Sequence, residues 1–373
     1  MIFRRTFNGA APGKDVEVPP SPPAMNRRSF LVRSGETCVA IGLMSAGGEL
    51  LSACGSSTPA STKSPAKLTH ISLQESYLNN AEFAGYYIAA KKGYFAKYGL
   101  KVDILAAGAT TDPRTVVANG GAQIGFVSET SDVLIGISQG VPYKCFGATF
   151  QTNPGCLMVL AKSNIYSVKD LEGKVIGLQN AARQQVIGIL QANHVPVDKV
   201  TLSVVGFDPT PLVLGKIDAY TAYAFNEPIA LKMQGINTRC YSFSDIGLPG
   251  YGDNLIATND TIASHPEMLA RFIRASQEAW QYSLSHPSEA VSVTLDDYPS
   301  GQNATQQKLQ MQAQIPMVTS AGTKAHGLLW ISKSIWAQAI AAAEASKSLA
   351  KPLTVAETMT QEILLRAATV SPS

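Results

Sequence analysis

From Leu68 onward, short apolar runs alternate with stretches whose apolar residues recur every three or four positions, the pattern of an α/β architecture. Residues 70–73 read as a strand. Residues 82–98 read as a helix whose apolar face carries Phe83, Tyr86, Tyr87, Ala90 and Phe95 and stops at Gly99. Strands are predicted at 102–105 and 124–127. The helix between them opens on Asp112-Pro113, a cap followed by Pro in the first turn, and ends at Gly120-Gly121. Residues 128–132 open a helix running to Gly140, and 143–150 and 157–161 are strand-like. After Lys162 the pattern restarts with a helical turn near 167–171 and a strand near 175–177. A helix at 183–193, a strand at 200–205, a turn of helix at 211–215 and a strand at 219–225 follow. From 257 the chain turns helical, with helices predicted at 265–285, 287–297, 303–313, 332–347 and 354–367. The expected architecture is two α/β lobes with a cleft between them. Residues 68–162 begin lobe 1, 163–256 form lobe 2, and 257–373 return as helices to cover lobe 1.

The first 67 residues follow a different pattern. Asn26-Arg27-Arg28-Ser29-Phe30-Leu31 resembles a twin-arginine export signal ahead of a short apolar run at 38–48. That run falls short of the roughly 20 apolar residues a spanning helix needs, so it reads as a signal and not as an anchor. Leu51-Ser52-Ala53-Cys54 then has the form of a lipoprotein cleavage site. Cys54 would become the first mature residue and carry lipid on its sulfur, holding the folded part on the outer face of a membrane. Residues 1–54 are therefore assigned to an extension and signal, with Met25 a natural start, and the Pro-punctuated 55–67 to a flexible tether.

Composition narrows the classes further. Charged residues make up 15% of the chain and its net charge is +3, which excludes the basic stripe of a nucleic-acid binder. Of five cysteines, Cys145, Cys156 and Cys240 fall in the body. Cys145 and Cys156 could bridge neighbouring strands, but three structural thiols are the reading favoured by the odd count. His70, His194, His265, His286 and His326 are scattered without a metal-ligand spacing, so no metal or cofactor is expected.

Three segments carry a family resemblance. The first is Phe83-Ala84-Gly85-Tyr86-Tyr87-Ile88-Ala89-Ala90-Lys91-Lys92-Gly93-Tyr94-Phe95, followed by Gly99-Leu100-Lys101-Val102. The second is Val168-Lys169-Asp170-Leu171-Glu172-Gly173-Lys174. The third is Gly215-Lys216-Ile217-Asp218-Ala219, leading to Asn226-Glu227-Pro228. Together they resemble the type II periplasmic binding proteins related to thiamine-pyrimidine synthase. That group includes ABC-importer receptors for thiamine-pyrimidine precursors, riboflavin, alkylsulfonates and nitrate. The resemblance implies a monomeric receptor that closes on a small ligand and delivers it to a permease and its ATPase. It is specific for the fold and not for the ligand.

Ligands of such lobes sit beyond the carboxyl ends of strands, near helix N-termini. That rule selects Tyr77 and Asn80 with Phe83; Thr110; Ser128, Glu129 and Thr130; Gln151; Asn180, near Arg183; and Tyr223, Asn226 and Glu227. Some of these equally fit structural roles: Ser128, Thr130 and Ser131 as helix caps, Asn79-Asn80 as a turn, and Glu227 as a cap before Pro228. Carboxylates, amides and aromatic rings in these loops favour a neutral or cationic planar heterocycle, such as a thiamine-pyrimidine precursor, over a sulfonate or nitrate. The synthase itself is the competing reading. Its pattern has a His where this chain has Phe83 and a run of cysteines, whereas no two cysteines here are adjacent. A lysine for its pyridoxal Schiff base is not evident before Phe83 either.

Overall fold

The computed structural model describes residues 68–108 and 110–373. The paired arginines, the apolar run, Cys54 and the tether 55–67 lie outside the described residues. Ten strands organise the rest: β1 (Thr69–Gln74), β2 (Leu100–Leu105), β3 (Ile124–Glu129), β4 (Tyr143–Phe150), β5 (Gly155–Leu160), β6 (Val175–Leu178), β7 (Thr201–Val204), β8 (Ala219–Tyr223), β9 (Thr238–Ser242) and β10 (Gly252–Thr258). They form two five-stranded sheets, ordered β2-β1-β3-β10-β4 and β7-β6-β8-β5-β9. In the first, β1 runs parallel to β2 and β3, while β10 lies antiparallel between β3 and β4. The second repeats the scheme, with β6 parallel to β7 and β8, and β5 antiparallel between β8 and β9. Parallel neighbours need crossover helices, which is why each lobe is a layered α/β unit.

The lobe boundaries fall earlier than the expected 162 and 256. The chain leaves the first sheet after Phe150 and crosses at 151–154, so β5 belongs to the second sheet; it returns after Ser242, so β10 belongs to the first. Both misplacements have a physical source. An apolar run such as β5 carries no mark of which sheet it joins. β10 opens on Gly252, Asp253 and Asn254, polar residues that are nonetheless buried, so its pattern does not read as a core strand. Cys145 and Cys156 consequently stand in different sheets and do not pair.

Helices differ in detail for local reasons. The predicted 82–98 helix divides into a turn at Ala81–Phe83, a helix Ala84–Lys91 and a short helix Tyr94–Lys97, because Gly93 adopts φ 75°. The predicted 354–367 helix divides into Val355–Thr358 and Glu362–Ala367, since Met359 is extended and bridges to Cys145 on β4. The long helix Pro266–Ser285 lies across Ala84–Lys91 with Leu269, Phe272, Ile273 and Trp280 buried. These join Phe83, Tyr86, Phe126 and Phe146 in one large core under the first sheet. The second sheet has a smaller apolar cluster on each face, one around Ile176, Val186 and Ile189, the other around Met158, Leu212 and Tyr220.

Candidate ligand-binding site

Every parallel strand ends at the same place. Ser76 and Tyr77 follow β1, Thr111 to Arg114 follow β2, and Ser128 and Glu129 close β3. From the other lobe, Gln179 follows β6, Phe207 follows β7, and Tyr223, Asn226 and Glu227 follow β8. These residues line one cavity between the lobes, with about 820 Å³ of empty space counted out to its mouth. Tyr77, Phe126, Phe207, Tyr223 and Phe243 add aromatic surface to its wall.

The lobes touch across the cavity through specific hydrogen bonds. The Tyr77 hydroxyl donates to Glu227 Oε1 at 3.0 Å and lies 3.3 Å from the Phe207 carbonyl. In the other direction, the Tyr223 hydroxyl donates to the Ser128 carbonyl at 2.8 Å. The Tyr77 and Phe207 rings meet with centroids 4.2 Å apart. Gln306, from the C-terminal helices, donates to Asn226 Oδ1 at 3.0 Å. The structure is thus a closed form whose rim is held by two tyrosine hydroxyls and one amide pair.

Carboxyl groups dominate the charged side chains of the lining. Glu82, Glu129, Asp132 and Glu227 are each no more than 5% exposed, and Asp112 stands beside them. Burial pushes Glu227 up to about 7, although its oxygens accept from Tyr77, from Asn226 Nδ2 and from the Tyr223 N–H. Burial also raises Asp132 to about 6, against the pull of Arg114. Glu129, facing Asp132, is driven well above the carboxylate range by burial and by that like charge. Behind Glu82 lies Asp253, raised to about 8 by burial, and Glu82 is pushed up by burial and by Asp253 in turn. Two carboxyls in contact must share a proton. Neither oxygen of Asp253 or of Glu75 meets a well-aligned donor. Arg114 is the one cation among the described lining residues, and it is already engaged. Its Nε and Nη2 donate to Asp112 at 2.9 Å each, and Nη1 donates to the Asp132 carbonyl at 3.2 Å. Three of its five N–H donors are thus engaged, and the Asp112 carboxylate offsets its charge.

Six of the predicted residues line this cavity: Tyr77, Ser128, Glu129, Tyr223, Asn226 and Glu227. The other six lie elsewhere. Asn80 is buried as the cap of the turn at Ala81–Phe83, its Oδ1 accepting from the Glu82 N–H at 2.7 Å and from Gln310 at 3.2 Å. Phe83 is a core residue against Phe126. Thr130 clamps its helix to β10, accepting from the Tyr251 N–H at 2.9 Å and donating to Asn254 Oδ1 at 3.1 Å. Gln151 ties the crossover to the C-terminal segment by accepting from the Ser320 hydroxyl at 2.9 Å. Thr110 and Asn180 are exposed, each beside residues that do line the wall. The expectation omitted Glu82, Asp112, Asp132, Gln185, Phe207 and Phe243. Phe207 was within reach, since it follows a predicted strand end as the chosen residues do. Glu82 and Asp132 read as ordinary first-turn helix acids, and nothing in the sequence marks them as buried.

The family model described as "NMT1/THI5 like" matches residues 80–290, more than half of the chain. Riboflavin-binding protein RibY of Chloroflexus aurantiacus is 30% identical over 342 residues, covering 84% of this chain and 94% of that protein. A formylaminopyrimidine-binding protein of Halalkalibacterium halodurans is 28% identical over 221 residues, 58% of this chain and 67% of its own length. Among solved structures, a protein of Bordetella bronchiseptica RB50 superposes with a TM-score of 0.63 at 18% identity, covering 80% of this chain and 97% of that one. At that identity the likeness establishes the fold, the two-lobed periplasmic-binding-protein architecture expected from the sequence. The strand order, the interlobe cavity and the extent of these matches lead to one assignment: the chain belongs to the NMT1/THI5-like family.

Proposed function

We propose that this protein is an extracytoplasmic ligand receptor of an ABC importer, held at the membrane by lipid on Cys54, and that it takes an uncharged or cationic planar nitrogen heterocycle. The observation that carries the ligand class is the wall of buried carboxyls whose single guanidinium is neutralised by Asp112. A buried anion needs several paired donors, and here it would face carboxyl groups that compete for the few protons they share and repel it wherever they ionise. A flat ring with N–H donors finds acceptors in Glu82, Glu129 and Glu227 and aromatic surface in Tyr77, Phe207 and Tyr223. The names of two relatives, for riboflavin and for formylaminopyrimidine, support this class. A thiamine-pyrimidine precursor and riboflavin are the first ligands to try.

Two other readings have less support. A sulfonate or nitrate receptor would want several convergent N–H donors and is helped by a cation, and the guanidinium of Arg114 is already paired with Asp112. A thiamine-pyrimidine synthase works through its own histidine and a cysteine run. None of the chain's histidines lines the cavity, and no two cysteines are adjacent.

The test is a thermal-shift panel on chain that has been unfolded and refolded to free it of bound ligand. The panel holds aminopyrimidines, riboflavin, taurine, alkylsulfonates and nitrate. A ligand at 100 times its Kd stabilises by about 2.7 kcal/mol, a readable shift. A shift with a heterocycle and none with the anions is expected; a shift with the anions alone would overturn the ligand class.

A further inference from the structure

The geometry points to a reversible dithiol–disulfide site on the second sheet, made by Cys156 of β5 and Cys240 of β9. β5 and β9 are antiparallel neighbours in the register Cys156↔Ser242 and Met158↔Cys240. Directly opposed residues share a face, and so do residues two apart along a strand. The two cysteines are therefore diagonal neighbours on one face. β9 is the edge strand, hydrogen-bonded on one side only, which leaves it room to shift toward β5.

Their surroundings are unequal in a way that assigns roles. Cys240 is exposed, whereas Cys156 is 1% exposed within the apolar cluster around Met158 and Tyr220. The neighbouring thiols act on each other: Cys156 favours the thiolate of Cys240 and lowers its pKa, while Cys240 and burial raise that of Cys156. An accessible thiolate beside a buried partner is the arrangement of a reacting and a resolving cysteine.

The step balances with a low-molecular-weight disulfide as oxidant. The Cys240 thiolate attacks one sulfur of that disulfide, forming a mixed disulfide and releasing one thiolate. Cys156 then loses its proton and attacks the Cys240 sulfur, closing the bridge and releasing the second thiol. Diagonal neighbours, typically about 7–8 Å apart, exceed the relaxed span of a disulfide, so closure draws the edge strand β9 toward β5 and the bridge is expected to be readily reduced rather than a permanent staple. Its location gives it consequence, because Phe243, three residues past Cys240, lines the ligand cavity and its N–H donates to the Gly155 carbonyl beside Cys156.

The experiment equilibrates the full chain in graded glutathione buffers, blocks free thiols with iodoacetamide and maps peptides by mass spectrometry, which separates Cys38 and Cys54 from the body cysteines. Oxidising buffer should produce a Cys156–Cys240 cross-linked peptide, with loss of two alkylatable thiols that returns on reduction. Cys145, fully buried with its thiol donating to the Gly147 carbonyl, stays alkylatable only after denaturation and serves as the control. In Cys156→Ser, Cys240 should accumulate as the glutathione adduct. In Cys240→Ser, Cys156 should remain reduced. Wild-type protein that stops at the Cys240 adduct, or keeps both thiols across the whole range, would overturn the assignment.

Discussion

Asp253 concentrates what is unusual here. It sits at φ 47°, in the left-handed region that few side chains other than Asn and Asp tolerate, and it is fully buried against Glu82. An acid held near 8 in the fold keeps its proton after the unfolded chain, with an ordinary value of about 3.9, has released it. Between those values the folded state binds more protons, so stability is greatest at the acid end and falls as pH rises toward about 8. Asp132, near 6, and Glu227, near 7, add to the same slope over narrower windows. We expect Asp253→Asn, which suits the same backbone angle, to flatten the decline of Tm between pH 5 and 8. An unchanged slope would show that Asp253 is ionised in the fold. Glu227→Gln keeps an acceptor for Tyr77 but removes the charge. Its expected effect is a loss of roughly tenfold or more in heterocycle affinity, about 1.4 kcal/mol, with Tm unchanged or higher, read by calorimetry and thermal melting. Such residues were only half legible in the sequence. Strand-end loops located Glu129 and Glu227, but burial decides their chemistry, and burial of an acid leaves no periodic trace.

Elements were more legible than their ownership. Apolar periodicity and Gly, Pro and Asp boundaries placed most helices and strands, since those signals are local. β9 and β10 were missed, and β5 was given to the wrong lobe, because strand pairing is set by contacts far apart in sequence. β10 pairs with β3 and β4 more than a hundred residues earlier. The crossing of helices Ala84–Lys91 and Pro266–Ser285 shows the same dependence. A Cβ on Gly85 would stand 2.2 Å from the Trp280 ring, so the two helices approach only because residue 85 is glycine. Gly85→Ala is accordingly expected to destabilise by about 1–3 kcal/mol through overpacking, against the small gain an Ala brings to an exposed helix. Urea titration would measure it, and a stabilised variant would mean that the helices can separate freely.

At the scale of the whole molecule, the two lobes meet across the cavity through side chains that also line it. Tyr77 and Tyr223 each donate across the cleft, and Tyr77 does so to the carboxyl of Glu227. Ligand affinity and closure are therefore coupled through the same few atoms. The double variant Tyr77→Phe with Tyr223→Phe keeps the rings and loses both hydroxyls. Its ligand-free form should show a larger radius of gyration by small-angle X-ray scattering than the wild type, and an unchanged radius would mean that packing alone holds the closed state. Outside the described residues, Cys54→Ser should release the protein from the membrane fraction if lipid on Cys54 is its anchor, and continued membrane association would exclude that role.

As proposed, the cavity selects by charge, accepting a flat heterocycle and disfavouring an anion. Calorimetric titration of the refolded chain with pairs of ligands that share a ring and differ in charge, riboflavin against its phosphate and an aminomethyl-pyrimidine against the corresponding carboxylate, measures that selectivity. The uncharged or cationic member of at least one pair is expected to bind, and its anionic twin to bind at least about tenfold more weakly at pH 7. Equal or tighter binding of the anionic twin would rule out selection by charge.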